Sequence, residues 1–165
     1  MATNNDVPLK KRITLSFQQL SEGAARLNRA SDDLAVAIEP LDAAFRLLNL
    51  GLTAWYKYDV DEDDSGEFWE HYVGYAKVDG KWGLALSEVT GTDIEMTDEH
   101  DNKEWLFNDA PRQMRVEAIP HIPSLLDKLV HEVNNAAASL EEKAAIARDV
   151  VSTIDAVTRK KPVTK

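Results

Sequence analysis

The stretch ITLSFQQLSEGAARLNRASDDLAVAIEPLDAAFRLLNLGL, residues 13–52, decides the architecture. Leu20, Leu27, Leu34, Leu41 and Leu48 recur every seventh residue, with Ile13 one heptad earlier. Four residues after each comes a second series: Phe17, Ala24, Ser31, Ile38, Phe45 and Leu52. Steps that alternate four and three keep one face of a helix apolar along its whole length. Residues 13–50 are therefore expected to form a long helix with a seam to bury against another helix. Pro40 lacks a backbone donor and crowds the preceding turn, yet the phase runs through it unbroken, so a kink or a tight break near Glu39 is expected rather than a change of direction.

The seam returns near the C-terminus. From Ser124 to about Val157 the apolar positions are Leu126, Leu129, Val133, Ala136, Leu140, Ala144, Ala147, Val151 and Ile154. One stutter falls between Leu140 and Ala144, and Ser139 with Glu142 can form a capping box there, which makes a helix break at that point the alternative.

Between the helices the period changes. TAWYKYDV (53–60), FWEHYVGYAKV (68–78) and KWGLALSEV (81–89) alternate or carry rings, as strands do. Asp79-Gly80 between two such runs is a strong hairpin signal, because a type I′ turn needs positive φ at both central residues. That register places Trp82, Leu84 and Leu86 on one face with Trp69, Val73 and Tyr75. Gly74, Ala76, Gly83 and Ala85 fall on the other face, a surface for close backbone approach or a shallow exposed one. EWLF (104–107) adds a short fourth strand. Asp109 before Ala110-Pro111 marks the start of a short helix, ended by Pro120 and Pro123.

The expected fold is α+β: two long antiparallel helices, the first kinked near Pro40, joined through a small antiparallel sheet of three to four strands and a short helix. Residues 1–12 and 159–165 read as disordered basic tails around a single helix–sheet–helix domain over 13–158. The seam is rich in alanine and thin for two helices alone, which favours a homodimer forming a four-helix bundle. In layout alone, two long helices joined through hairpins resemble prefoldin-type chaperone subunits, and a likeness of layout carries no function.

The 165 residues carry a net charge of −10, unevenly spread. Fifteen Asp or Glu stand against three Lys between residues 59 and 104, while both termini are basic. That pattern argues against a nucleic-acid-binding face, which needs clustered Lys and Arg. The absence of cysteine rules out disulfides, thiolate metal sites and cysteine nucleophiles. No apolar run reaches bilayer length and the first residues lack a secretion signal, so the expectation is a cytoplasmic protein with no membrane partner.

The acidic loop is the sharpest chemical candidate. Asp59, Asp61 and Asp63 alternate, and Glu70 falls twelfth counting from Asp59, the spacing of oxygen ligands in a calcium loop. Position six holds Asp64 where the sharp turn needs glycine, and the flanks read as strands. A solvated acidic turn that protects a strand edge accounts for the same residues. No cofactor is expected, calcium being the ion this loop would take. Arg112 and Arg115, one turn apart on the short helix, are candidates for an anion. Of His71, His100, His121 and His131, the last lacks the second histidine of a zinc helix. An enzyme built on Glu70, His71 and Arg112 is the weakest reading, because neighbours on a strand point to opposite faces.

The reading that gathers most of these features is a non-enzymatic protein-interaction and oligomerisation module. Its long helices would form a bundle. Its acidic, aromatic sheet tip would bind a partner protein through Trp55, Tyr58, Asp61, Asp63, Asp64, Trp69 and Tyr72. The alternative is a small-molecule or divalent-metal-responsive sensor domain.

Overall fold

A computed structural model describes residues 8–64, 66–92 and 100–159 of the chain. The element order is α1 (Leu9–Leu48), β1 (Ala54–Glu62), β2 (Glu67–Val78), β3 (Lys81–Thr92), β4 (His100–Leu106), α2 (Arg112–Ala118) and α3 (Ile122–Arg159), with 3-10 turns at Phe107–Asp109 and Ile119–His121. The class is α+β, with one four-stranded antiparallel sheet in the order β1-β2-β3-β4. Contacts gather the chain into two compact units, Met1–Leu48 and Asn49–Lys165.

The first unit holds α1. It begins at Leu9, four residues earlier than the periodicity marks, and takes Lys10, Lys11 and Arg12 into its first turns. The amides of Lys11 and Arg12 both donate to the Pro8 carbonyl at 2.8 and 3.1 Å. The helix runs through Pro40 without interruption to Leu48, about 60 Å in all. It stops there because Asn49 adopts φ 47°, the left-handed conformation that closes many helices and that asparagine tolerates. The seam is not uniform. Ile38 and Phe45 are buried and Leu34 and Leu41 half-buried, whereas Ile13, Phe17, Leu20 and Leu27 are exposed. The basic tails expected at 1–12 and 159–165 fall largely on residues 1–7 and 160–165, outside the described residues.

The second unit is the sheet with its covering helices. The hairpin at 79–80 forms as its sequence requires: Asp79 has φ 48° and Gly80 φ 81°. The resulting register pairs Tyr75 with Leu84 and Val73 with Leu86. Those four side chains are among the most buried in the protein, and Phe107, Met114, Ala118, Leu125 and Leu129 join them in the core. Tyr75 stacks on Trp82 with ring centroids 5.3 Å apart. Removing each such side chain from water is worth about 1.5–3 kcal/mol, which makes this face the main source of the sheet's stability.

α2 and the first turns of α3 cover that bulky face. His121 stacks on Tyr58 at 5.3 Å, the Tyr58 hydroxyl donates to the Met114 carbonyl at 3.3 Å, and Lys128 Nζ donates to the Trp55 carbonyl at 2.6 Å. Asp109 does not cap α2, as its sequence suggests. It closes a 3-10 turn, and Pro111 takes the position before Arg112. α3 is a single helix of 38 residues with no break at Ser139. Its buried positions are Leu125 and Leu129, and Leu126 of the expected seam is 39% exposed.

The small-residue face differs from both expectations. Ala76, Val78 and Ala85 are buried, with Trp55 and Leu106 packed on them. A Cβ at Gly74 would collide with the Trp55 ring and lie 2.6 Å from the Ala54 carbonyl. Glycine is there to admit an indole, and the surface is neither shallow nor open to a partner backbone.

Candidate functional site

The end of the sheet away from the Asp79-Gly80 turn forms an open cleft of about 820 Å³, lined by Asp61, Glu62, Asp63, Glu67, Phe68, Trp69, Thr90, Gly91, Thr92, His100 and Asp101. Five of these carry carboxylates and none is Lys or Arg. The β1–β2 turn shapes one wall. Asp63 Oδ1 accepts from the Glu67 amide at 3.0 Å, the Asp63 amide donates to the Glu67 carbonyl at 2.9 Å, and Gly66 donates back to the Asp63 carbonyl at 3.0 Å. Asp61 Oδ1 accepts from the Glu62 amide at 3.0 Å. Phe68 and His100 close the other side, tilted rings 5.5 Å apart. Residues 93–99, which carry further expected carboxylates, lie outside the described residues.

The expected calcium ligands do not assemble. β1 and β2 change register between Lys57 and Asp59, leaving Tyr58 as the extra residue of a bulge. Beyond it Asp59 pairs with His71 and Asp61 with Trp69, on the face covered by α2, while Val60 pairs with Glu70 on the opposite face. Glu70 is therefore cut off from Asp59 and Asp61 by the plane of the sheet. It belongs to a different cluster, accepting from both Lys57 Nζ and the Tyr72 hydroxyl. The hydrogen bond from Lys57, followed by that from Tyr72, holds the Glu70 carboxyl below its usual range. The same bond to Glu70 raises Lys57, and burial followed by the Glu70 bond raises Tyr72.

The expected partner-binding set is likewise divided. Asp61, Asp63 and Asp64 are exposed at the turn, but Trp55, Tyr58, Trp69 and Tyr72 are all half-buried. Trp55 packs on the small-residue face, Tyr72 lies within the Lys57–Glu70 cluster, and Trp69 sits against His71 at 4.4 Å. No Trp or Tyr is among the exposed large hydrophobic residues of the described chain. The sheet end is thus an acidic surface with Phe68 and Trp69 in its lining, and Trp55 and Tyr72 lie elsewhere. Arg112 is exposed at the first position of α2 and Arg115 is half-buried one turn on. Glu70 and His71 point to opposite faces, which also separates the residues of the weakest enzymatic reading.

The residues that sequence reasoning did not group are Asp59, His71, Glu88 and Glu117. His71 pairs across the sheet with Glu88 of β3, and its Nε2 lies 3.2 Å from Glu88 Oε2. Burial, and then the charges of Glu117, Asp59 and Glu88, push the neighbouring Tyr58 hydroxyl upward. The sequence signal is Lys57-Tyr58-Asp59, where strict alternation would put Asp59 on the Lys57 face; only the bulge transfers it.

No protein family, curated protein or solved structure matches this chain. No helix of the described residues is long and apolar enough to cross a membrane.

Proposed function

We propose that the protein is a non-enzymatic interaction module that self-associates through its long helices and receives a basic partner segment at the acidic end of its sheet. The observation that carries this reading is the bare apolar stripe on α3. Leu140, Ile146, Val150, Val151, Ile154 and Val157 are each more than half exposed along the last twenty residues of the helix. Apolar side chains in such number along one helix are a liability in water, and burial against other helices removes it. The exposed Leu9, Ile13, Phe17, Leu20 and Leu27 of α1 support the same conclusion for the first unit. A four-helix bundle made by two copies covers both stripes with elements the chain itself provides. The five carboxylates of the cleft supply the second half of the reading, since clustered charge of one sign steers an oppositely charged partner.

Analytical ultracentrifugation across micromolar to hundred-micromolar concentrations tests this. The wild type is expected to sediment as a dimer, and Val151→Glu/Ile154→Glu as a monomer with its sheet signal unchanged. A wild type that stays monomeric at every concentration overturns the proposal, as does a dimer indifferent to the double substitution.

A further inference from the structure

One cluster on the helix-covered face of the sheet serves neither the core nor the cleft. Asp59 on β1 and His71 on β2 are register partners and so share a face. Glu117 comes from α2 above them. One oxygen of Asp59, one of Glu117 and a ring nitrogen of His71 all lie within 4.8 Å of one another. The imidazole is held from behind. Nε2 lies 3.2 Å from Glu88 Oε2, and because a carboxylate only accepts, a neutral ring that donates there from Nε2 carries its lone pair on Nδ1. Nδ1 is shielded from solvent and has no hydrogen-bond partner among the described residues. A buried acceptor left without a donor carries a desolvation cost that a ligand at that atom would offset.

The grouping has the features of a metal site rather than of a core histidine. One imidazole nitrogen and two carboxylates are ligands suited to first-row divalent ions. A carboxylate behind a ligating histidine, as Glu88 stands behind His71, is the usual device that fixes ring orientation and tautomer. A tetrahedral ion about 2.1 Å from its ligands spaces them about 3.4 Å apart, so it would draw the three groups together over a distance side-chain rotation can supply. Asp59 and Glu117 accept locally from the Val60 amide and Gln113, as the cleft carboxylates do within their turn, but among the described residues the cleft has no buried, unpartnered ring nitrogen to match His71 Nδ1.

We propose that Asp59, His71 and Glu117 bind a divalent first-row transition-metal ion, with Glu88 as the positioning residue for His71. The ion would join β1 and β2 to α2, linking an edge strand of the sheet to the helix that covers it.

The test uses the full, untagged chain, stripped with chelator and titrated with ZnCl2 by calorimetry. One equivalent is expected to bind and to raise the thermal midpoint. His71 packs against Trp69 and Tyr58, so its removal risks the fold. Asp59→Asn and Glu117→Gln keep that packing, and each is expected to weaken zinc at least tenfold while leaving circular dichroism unchanged. Cobalt in place of zinc is expected to show visible bands that both substitutions abolish. Absence of binding at 100 μM zinc overturns the proposal. So does binding that survives both substitutions, or binding lost only in Asp61→Asn/Asp63→Asn, which would place the ion in the cleft.

Discussion

The two ends of α3 are built from the same kind of sequence and finish in opposite surroundings. Leu125 is 0% exposed and Leu129 4%, set against the sheet. Leu140 is 69% exposed and Ile154 57%, on the same unbroken helix. Nothing in the residue types separates the two ends. What separates them is the sheet, which has a bulky face of Val73, Tyr75, Leu84 and Leu86 to offer the first turns and, among the described residues, no further strand to offer the rest. A helical apolar period identifies which side of a helix wants cover; the neighbouring layer determines whether the chain itself provides it.

The largest expected effect therefore lies at the covered end. Leu125→Ala removes a fully buried side chain between α3 and the sheet and is expected to cost about 2–5 kcal/mol, read as a lower denaturation midpoint. Leu140→Ala is expected to change the stability of dilute protein by no more than about 0.5 kcal/mol, as at an ordinary surface position. The contrast breaks if Leu140→Ala costs as much as Leu125→Ala at nanomolar concentration, since that would mean the chain covers its own stripe. It sharpens if the Leu140→Ala cost grows with protein concentration, because the stripe is then covered by a second copy.

A second contrast lies between the two faces of the sheet. The bulky face follows its sequence pattern, whereas the small-residue face is closed by Trp55 lying over Gly74. Gly74→Ala adds one methyl where the indole and the Ala54 carbonyl already sit. We expect it to cost about 1–3 kcal/mol, with a shift in tryptophan emission as the ring is displaced. An unchanged melt and spectrum would show that the face has room, and would return it to the list of surfaces open to a partner.

Much of the fold was legible in particular residues. Asp79-Gly80 set the central hairpin, and that hairpin set the register of Tyr75, Leu84, Val73 and Leu86. The long helices were legible from their period, and α1 continues through Pro40 without a tight break, one of the two expectations there. The candidate site was not. A single bulge at Tyr58 inverts the facing of every later residue in β1, carrying Asp59 and Asp61 to the α2 face and leaving Glu70 behind. Alternation counted along the sequence has no means of registering one extra residue. Glu117 joins the cluster only through packing of α2 on the sheet, which no local pattern encodes. Likewise the rings of Trp55 and Tyr72 looked available to a partner because composition reports how many aromatics a small sheet has, not how many it engages within itself, whereas Trp69 does line the cleft.

The smallest effect on stability belongs to the region with the most charge. Asp61→Asn/Asp63→Asn/Asp64→Asn removes three exposed carboxylates from the turn. The asparagine side chains retain the oxygens that accept from the Glu62 and Glu67 amides, so the turn geometry is preserved. The melt is expected to move by no more than about 0.5 kcal/mol. Association with a lysine-rich peptide is a different matter, because the rate of encounter responds to the summed field of the cleft rather than to any one contact. At low ionic strength the wild-type on-rate is expected to exceed that of the triple variant several-fold. Near 0.15 M salt, where the screening length is about 8 Å, the gap is expected to narrow. Equal on-rates at low salt would show that the carboxylates serve only to keep an edge strand solvated. A gap that persists at high salt would mean that the peptide makes close ion pairs in the cleft, since contacts at hydrogen-bond distance escape most of the screening.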